Sequence, residues 1–324
     1  MTWSWTDETL GALRSYLGSG GELTAREIGD GHSNLTYLVT GGERPVVVRR
    51  PPPPPVPPGG HDVLREARLI SAIQGTGVPV PEVYAVAQEG EVLDFPFYVM
   101  SYVDGVVATT ETPAGLVEHR RELAFAMVDT IAALHAVDWR AAGLKGRPEG
   151  FNARHLRRMA GLVDGEKFEP VREWLEANVP PESGDAILHN DFRVGNLMLS
   201  KQPPAQILAV LDWELATVGD PLFDVGYFLA SYPEGESETP TQDLATMFLE
   251  PGYPTRAELA ERYAADTGRD LSNLQWYTVM ALWKLAVLYE YARRRGEDAY
   301  YQDPALVARF LAAAGREAGL AAVR

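Results

Sequence analysis

The sequence contains no cysteine among its 324 residues. A disulfide framework, a zinc site built from thiolates and a cysteine nucleophile are therefore all excluded. Positive charge is also scarce, because 29 Lys and Arg residues face 45 Asp and Glu residues and the formal net charge is -16. The short basic run Arg293-Arg294-Arg295 is the exception. A surface this acidic would repel a phosphate backbone, so no nucleic acid partner is expected.

Long hydrophobic runs are missing as well. The most apolar late stretch, residues 279–288, is interrupted by Lys284 and is too short to cross a bilayer. Residues 1–17 contain two acids and no apolar segment behind a basic start, so they do not resemble a signal peptide. A cytoplasmic protein with no membrane partner is the simplest expectation. The sequence carries no signal of an oligomeric state.

The length of the chain exceeds what a single core usually holds, which favours two lobes. In the first hundred residues, runs rich in β-branched and aromatic residues alternate with turn signals and surround one helix, predicted at 62–74. Beyond Asp104 the periodicity becomes mostly helical. An α+β fold is therefore expected, with a β-rich lobe at 1–103 and a larger helical lobe at 104–324. The predicted strands of the first lobe are 35–39, 46–48, 83–87 and 97–103.

Several helix starts are predicted from capping residues. Thr112 before Pro113 is typical of an N-cap, and the stripe that follows predicts one buried helix face. Thr255 with Glu258 and Ser272 with Gln275 each fit a capping box. The buried face is expected to consist of Leu123, Met127, Ile131 and Leu134.

A low-complexity run, PPPPPVPP at residues 51–58, must be extended because proline cannot join a helix interior or a central strand. It is interpreted as a stiff loop between the preceding strand and the next helix. A ligand for a proline-binding module is the alternative.

The most informative stretch is ILHNDFRVGNLMLS, followed by ILAVLDWE. Strand-like residues lead into His189, and a short loop reaches Asn196. A second strand then turns at Pro203-Pro204, and a third strand delivers Asp212. The predicted hairpin therefore brings Asn196 and Asp212 to one end, close to Asp191.

Two carboxylates and an amide that converge in this way suit phosphoryl transfer. One carboxylate orients the attacking hydroxyl and accepts its proton, while the other and the amide oxygen hold Mg²⁺ against the phosphates. The H-x-D-x-x-x-x-N spacing matches a kinase catalytic loop. The predicted base is Asp191, and the predicted metal ligands are Asn196 and Asp212. The alternative is that these residues only make turn and capping hydrogen bonds. His189 is expected to brace the loop.

The segments HNDFRVGNLML and LDWELATVGDPLFDVGYFL resemble the aminoglycoside phosphotransferase and choline kinase-like family. The resemblance is closest to the branch that also occurs fused to acyl-CoA dehydrogenases. It extends from Gly29 to the final helices. It implies a protein-kinase-like fold, ATP or GTP with Mg²⁺ as cofactor, and phosphorylation of small-molecule hydroxyls. The residues that match the catalytic motif are Asp191, Asn196 and Asp212.

The same resemblance covers Gly219-Asp220-Pro221 and Asp224. From the residues themselves, Asp220 is expected to cap a helix that starts at Pro221. Asp224 falls in the first turn, where the helix dipole favours a carboxylate. Both are interpreted as scaffold for the catalytic loop.

The nucleotide-binding residues are predicted in the first lobe. The G-x-G-x-x-N run before the strand at 35–39 resembles the phosphate loop of the family, with Gly31, Ser33 and Asn34 facing the phosphates. The kinase fold places a strand Lys over the phosphates and pairs it with a helix Glu. Here that strand carries Arg49 in place of Lys. Glu66 shares the apolar stripe of its helix and needs a partner, so an Arg49–Glu66 ion pair is expected.

The nucleotide base is expected beside the segment that joins the lobes. Met100 would line the pocket, and backbone groups from Ser101 to Val103 would read the base edge, with adenine and guanine both open.

The acceptor is expected to contact basic and aromatic residues of the second lobe. Such residues would suit an anionic hydroxyl compound. The resemblance to the branch fused to acyl-CoA dehydrogenases implies a hydroxyacyl compound. The alternative acceptor is an aminoglycoside or an amino alcohol. The alternative functions are a non-catalytic nucleotide-binding pseudokinase and a metal hydrolase that uses His189. His135 and Asp138 are expected to be structural. The candidate acceptor residues are Phe151, Asn152, Arg154, Arg157, Arg158, Trp276, Lys284, Tyr289 and Arg293.

Overall fold

The computed structural model describes residues 4–29, 34–54, 61–235, 238, 244–296 and 299–320. The chain divides into two units. The first consists of Met1–Asp104 together with Ala209–Glu214, and the second of Gly105–Leu208 together with Leu215–Arg324.

The first unit is built on a five-stranded antiparallel sheet, as its β-branched and aromatic runs predict. The predicted strands are confirmed, although the last one ends at Ser101 and not at Val103. One strand was not predicted, because its sequence TARE is polar and three of its four residues are exposed. In sheet order the strands are β1 (Thr24–Glu27), β2 (Leu35–Thr40), β3 (Val46–Arg50), β5 (Phe97–Ser101) and β4 (Val83–Ala87).

The part of the first unit that the structure describes contains the helices α1 (Asp7–Leu17) and α2 (Val63–Ile73). Helix α1 was not predicted, although Thr6 and Thr9 form a reciprocal capping box at its start. Its buried Leu13 packs in a core cluster with residues of the sheet. Helix α2 confirms the predicted helix and begins where Asp62 accepts the backbone N–H of Arg65 at 2.9 Å.

The second unit is mostly helical, which confirms the predicted α+β class. No helix among the described residues is both long and apolar enough to cross a bilayer. Short strands accompany the helices, and β6 (Ala186–Leu188) pairs antiparallel with β9 (Thr217–Gly219). Between them come β7 (Leu197–Leu199) and β8 (Ile207–Val210), and the turn that joins these two is closed by the Ser200 N–H, which donates to the Gln206 carbonyl. The α-helices formed by the described residues of the second unit are α3 (Arg120–Ala136), α4 (Phe151–Ala160), α5 (Glu169–Ala177), α6 (Leu222–Ala230), α7 (Arg256–Thr267), α8 (Leu274–Arg295) and α9 (Pro304–Glu317).

The predicted start of the long helix α3 is wrong in detail. Thr112 does not cap a helix, because its N–H and hydroxyl both bind the carboxylate of Glu250 at 2.9 Å. The chain instead enters α3 through a 3-10 turn at Ala114–His119. The predicted stripe from Leu123 to Leu134 is confirmed as buried.

The two predicted capping boxes have different outcomes. Thr255 and Glu258 form the predicted box at the start of α7. Ser272 does not form one with Gln275, because its N–H and hydroxyl bind Asp270 at 2.9 Å. Helix α8 therefore begins after Asn273, with no side-chain cap.

Helices α6 and α8 pack closely in the second unit. Every residue of α6 is buried, including Gly226. A Cβ atom added at Gly226 would lie 2.7 Å from the backbone carbonyl carbon of Tyr277 in α8. The glycine is therefore required by the close approach of the two helices.

We expect Gly226→Ala to destabilise the protein by about 1–3 kcal/mol, because backbone atoms of α8 would have to move to admit the methyl group. Chemical denaturation measures the change. Gly161→Ala is the matched control, since its Cβ would meet only ordinary contacts of 3.5 Å or longer. Equal unfolding free energies for the two variants would contradict the packing argument.

Candidate functional site

The loop that carries Asp191 lies between β6 and β7 in the second unit. All three residues of β6 are buried, so the loop starts from a fixed point. Asn190 adopts a left-handed conformation with φ 66°, which asparagine tolerates better than most residues. A 3-10 turn at Val194–Asn196 then leads into β7.

Asp191 and Asn196 lie side by side, as the motif spacing predicts. The Nδ2 of Asn196 donates to Asp191 Oδ2 at 2.7 Å and to the Asp191 backbone carbonyl at 2.8 Å. The Nε of Arg193 lies 3.5 Å from Asp191 Oδ1. The Asp191 side chain is 20% exposed, so the carboxylate is partly open to solvent.

Asp224 holds the backbone of this loop from α6. Its fully buried carboxylate accepts the N–H groups of His189 and Asn190, each at 2.7 Å. It also contacts His135 Nε2 at 3.3 Å. Burial acts to raise the pKa of the Asp224 carboxyl, but the hydrogen bond and charge of His135 and the bond from His189 outweigh it. The pKa therefore lies below its ordinary value.

The other residues predicted to support the loop also have structural contacts. His189 Nδ1 accepts the Asp191 N–H at 3.3 Å, which confirms that it braces the loop. Because His189 is also fully buried, it is poorly placed for the metal-hydrolase alternative. His135 is buried and contacts Tyr263. Helix α6 begins one residue later than predicted, with Pro221 and not Asp220 at the N-cap position. The buried Asp220 carboxylate still accepts the N–H of the first helical residue, Leu222, at 3.0 Å.

Tyr227 also contacts the loop and was not predicted as a site residue. Its hydroxyl donates to Asp191 Oδ1 at 2.5 Å. The signal was available, because Tyr227 follows Asp224 by three residues and therefore shares its face of α6.

The first unit contains a second cluster, in which Arg49 lies between two carboxylates. Its Nε donates to Glu66 Oε2 at 3.0 Å, which confirms the predicted ion pair between β3 and α2. A terminal guanidinium nitrogen donates to Asp212 Oδ1 at 2.5 Å. The other donates to Thr36 Oγ1 at 3.1 Å. Burial acts to lower the pKa of Arg49, but Glu66 and the other acidic groups nearby hold it above its ordinary value.

Asp212 follows β8, and the backbone on its C-terminal side is held by a hydrogen bond to Glu66. It is left-handed with φ 63°, and the N–H of the next residue, Trp213, donates to Glu66 Oε1 at 3.2 Å. Glu66 thus binds both Arg49 and the backbone beside Asp212. Glu66 is only 1% exposed, as its position on the apolar stripe of α2 predicts.

Asn196 and Asp212 each carry a side-chain oxygen of the kind that binds a magnesium ion. Mg²⁺ prefers oxygen ligands and keeps several waters or phosphate oxygens of its own. The Asn196 side chain donates through Nδ2, so its Oδ1 is left as an oxygen ligand. Asp212 belongs to the first unit and Asn196 to the second. In the described part of the chain, no group of three or more His, Asp or Glu side chains could hold a metal.

The remaining predicted nucleotide-binding residues differ in their surroundings. Gly31 and Ser33 lie outside the described residues. Asn34 is buried, and its Nδ2 donates to Glu66 at 3.4 Å. Met100 is buried in β5. Ser101 uses its N–H to bind the Glu82 carbonyl at 2.8 Å and its hydroxyl to accept the Glu82 N–H, so that N–H is already engaged.

Val103, the last predicted base-edge residue, is partly buried and follows the end of β5.

Several candidate acceptor residues are core residues. The Nδ2 of Asn152 donates to Tyr277 and Asp220, and the indole N–H of Trp276 donates to the Leu175 carbonyl. Both are buried, and their hydrogen bonds explain why polar side chains occur there. Phe151 and Tyr289 are also buried, Arg154 binds backbone carbonyls, Arg293 binds Glu290, and Arg157 and Arg158 are exposed.

Comparison with known proteins adds family information to this geometry. The profile described as the phosphotransferase enzyme family matches residues 24–261. Acyl-CoA dehydrogenase family member 10 of Mus musculus is 29% identical over 87% of this chain and 28% of its own length. Family member 11 of Gallus gallus is 33% identical over 65% of this chain and 28% of its own length. The chain thus spans less than a third of these curated relatives.

A solved structure is similar over nearly its whole length. It is a protein of Ralstonia eutropha assigned as an aminoglycoside phosphotransferase, 26% identical, with a TM-score of 0.75. The similarity covers 94% of this chain and 98% of that chain.

We expect Glu66→Ala to destabilise the protein by about 3 kcal/mol, because it removes one partner of a buried ion pair and leaves the Trp213 N–H without its acceptor. Thermal or chemical denaturation measures this. Glu89→Ala, at an exposed position, should stay within about 0.5 kcal/mol of the wild type. Equal effects of the two substitutions would contradict the role of Glu66.

A pH dependence follows from Asp224, whose folded-state pKa lies below its ordinary value because His135 and the His189 N–H bind the carboxylate. Its contribution to stability is present above the unfolded pKa of about 3.9 and is lost as pH falls through the folded pKa. We expect Asp224→Asn to cost about 2 kcal/mol at neutral pH, and the difference from wild type to shrink in acid. Unfolding free energies measured across this range test it.

Asp129→Asn, which alters an exposed ion pair with Arg262, is the control for Asp224→Asn. It should change stability little at any pH. A wild-type advantage over Asp224→Asn that stays constant into acid would contradict the linkage to Asp224.

Proposed function

Because this chain belongs to the phosphotransferase enzyme family, we propose that it is a small-molecule kinase. It transfers the γ-phosphoryl group of a magnesium-bound nucleoside triphosphate, ATP in the first instance, to a hydroxyl group of a small metabolite. The protein-kinase-like fold predicted from the sequence is confirmed by the similarity to the Ralstonia eutropha structure. We place this activity in the cytoplasm, where the nucleotide is available.

One observation carries the proposal, namely the arrangement of the Asp191 carboxylate. It is held by Asn196 at 2.7 Å and by Tyr227 at 2.5 Å, yet it stays partly exposed. A general base must be oriented and must still reach the hydroxyl whose proton it takes. In this proposal Asp191 orients the attacking hydroxyl and accepts its proton as the oxygen attacks the γ-phosphorus.

Asn196 and Asp212 would hold the magnesium ion through their side-chain oxygens. When bound, such an ion neutralises the charge of the phosphate oxygens. The cluster around Asp212 supports this assignment, because a single guanidinium faces the two carboxylates of Glu66 and Asp212. A cation at Asp212 would complete the charge balance.

The nucleotide phosphates are proposed to contact the segment from Gly31 to Asn34 and the guanidinium of Arg49. Arginine stays charged and presents a planar fork of donors, so it can bind phosphate where related kinases use lysine. Met100 and the backbone up to Val103 are proposed to surround the base.

The acceptor is proposed to be anionic, such as a hydroxyacyl compound. Arg157 and Arg158 are exposed on α4, whereas the chain as a whole is strongly acidic. A polycationic aminoglycoside would be disfavoured by such residues. The acceptor class can be identified with an assay for the release of nucleoside diphosphate. The assay is run with hydroxy acids, hydroxyacyl thioesters, amino alcohols, sugars and aminoglycosides.

A second candidate function is nucleotide binding without turnover. The ion pair between Arg49 and Asp212 favours it, because Arg49 already neutralises part of the carboxylate that would hold the metal. Tight nucleotide binding with no product from any acceptor would support this second function.

For the kinase, we expect Asp191→Asn to bind the magnesium nucleotide normally and to lose turnover by about 10²-fold or more, because only the proton acceptor is removed. Asp212→Ala should lose magnesium-dependent nucleotide binding. Calorimetric titration and product formation measure the two effects. His135→Asn is the control, with stability affected and binding retained. Turnover of Asp191→Asn near the wild-type rate would contradict the assignment of the base.

A further inference from the structure

Lys284 is a buried charge in the middle of α8. The residue is 6% exposed and lies between apolar neighbours on a helix that is buried along most of its length. Its ammonium group donates to the backbone carbonyl of Asn190 at 2.7 Å. Lys284 therefore contacts the residue that directly precedes Asp191.

Burying the ammonium charge of Lys284 at this position costs free energy. No carboxylate of the described residues lies within ion-pair distance of its Nζ, and its hydrogen-bond acceptor is a neutral carbonyl. Burial acts to lower the pKa of Lys284, while the more distant charges of Asp191 and Asp224 oppose the shift. The pKa lies below its ordinary value. A methionine would pack in the same space without this cost, so stability alone does not account for a lysine.

Tyr227 connects Lys284 to the Asp191 carboxylate. The Lys284 ammonium lies 5.0 Å from the centre of the Tyr227 ring, within the range of a cation–π interaction. The hydroxyl of the same ring donates to Asp191 Oδ1. Burial and the charge of Asp191 hold the pKa of Tyr227 well above its ordinary value, so the hydroxyl keeps the proton that it donates.

The peptide group between Asn190 and Asp191 is hydrogen-bonded through both its carbonyl and its N–H. Its carbonyl accepts from Lys284, and its N–H donates to His189 Nδ1. The preceding peptide group is held by Asp224, which accepts the Asn190 N–H. Asn190 is left-handed, a conformation that costs free energy and persists only when neighbouring contacts enforce it.

We propose that Lys284 and Tyr227 are positioning residues for Asp191. Lys284 fixes the plane of the peptide group before Asp191, and Tyr227 fixes the direction of the carboxylate. The proposal rests on the proposed function, because it assumes that Asp191 is the base. A purely structural lysine would affect stability and leave the rate per folded molecule unchanged.

The test compares Lys284→Met with Val279→Ala. Methionine keeps an unbranched side chain, one atom shorter than that of lysine, and removes the ammonium group. Val279 is a fully buried residue of α8, and its truncation removes packing without altering a charge. Turnover is measured with ATP and the acceptor that the diphosphate-release assay identifies. We expect Lys284→Met to lower kcat by about 10²-fold, the effect of misplacing a reacting group by about 1 Å. The KM for ATP should change by less than about threefold.

Val279→Ala should lose stability and keep kcat. A Lys284→Met enzyme with wild-type kcat would overturn the proposal. So would a parallel loss of kcat in Val279→Ala, because packing alone would then explain the effect. Tyr227→Phe, which keeps the ring and deletes the hydroxyl, should also lower kcat at unchanged KM.

Chemical rescue separates charge from packing. Because the chain has no cysteine, Lys284→Cys introduces a single thiol. Alkylation in the denatured state with 2-bromoethylamine restores an ammonium group of lysine length, whereas iodoacetamide adds a neutral amide. After refolding, the first adduct should regain most of the activity and the second should not. Equal activity of the two adducts would overturn the role of the charge. Wild-type protein taken through the same cycle controls for refolding.

A measurement without turnover distinguishes failure of this proposal from failure of the proposed function. Native-state hydrogen exchange at the Asn190 and Asp191 amides should be at least about tenfold faster in Lys284→Met than in Val279→Ala, since opening of the loop no longer breaks the lysine contact. If wild type shows no turnover with any acceptor, the kinase assignment fails and the exchange result still decides whether Lys284 holds the loop. Unchanged exchange would overturn that role.

Discussion

The buried carboxylate of Asp224 is the constraint on which the candidate site depends. A lone carboxylate without water costs several kcal/mol, and here the backbone N–H groups of His189 and Asn190 and the ring of His135 offset that cost. The same two N–H groups cannot bind Asp224 unless the chain turns sharply before Asp191. The left-handed Asn190 is therefore a consequence of satisfying a buried charge.

The first unit contains a similar arrangement, in which a buried carboxylate accepts a backbone N–H next to a proposed functional aspartate. Glu66 accepts the N–H of Trp213, directly after Asp212, as Asp224 accepts the N–H of Asn190, directly before Asp191. In each case a left-handed residue other than glycine lies beside or at the proposed functional carboxylate. Backbone conformations of this kind cost about 1–3 kcal/mol and cluster at functional sites. Two buried carboxylates thus hold the two proposed functional aspartates.

The sequence predicted those features that depend on neighbouring residues. The runs of β2 to β5, the face of α3 and the capping box of Thr255 follow from local periodicity and local hydrogen bonds, which tertiary contacts did not override. The Arg49–Glu66 pair was also predictable, because a carboxylate on an apolar helix stripe requires a buried partner. The proximity of Asp191 and Asn196 follows from their positions five residues apart in one loop.

Other features were decided by contacts that are distant in sequence. Thr112 is a residue type that favours the N-cap position, but its hydroxyl binds Glu250. Local sequence rules do not predict when a threonine hydroxyl will bind a carboxylate distant in sequence and not a nearby backbone N–H. The same holds for Lys284 and for the second carboxylate on Arg49, since each contact joins segments far apart in the chain. The sequence by itself determined most of the elements and the chemical groups proposed for the site, because both depend on neighbouring residues. The tertiary structure decided which polar groups bind one another, because a buried polar group takes whichever partner the packing brings within hydrogen-bond distance.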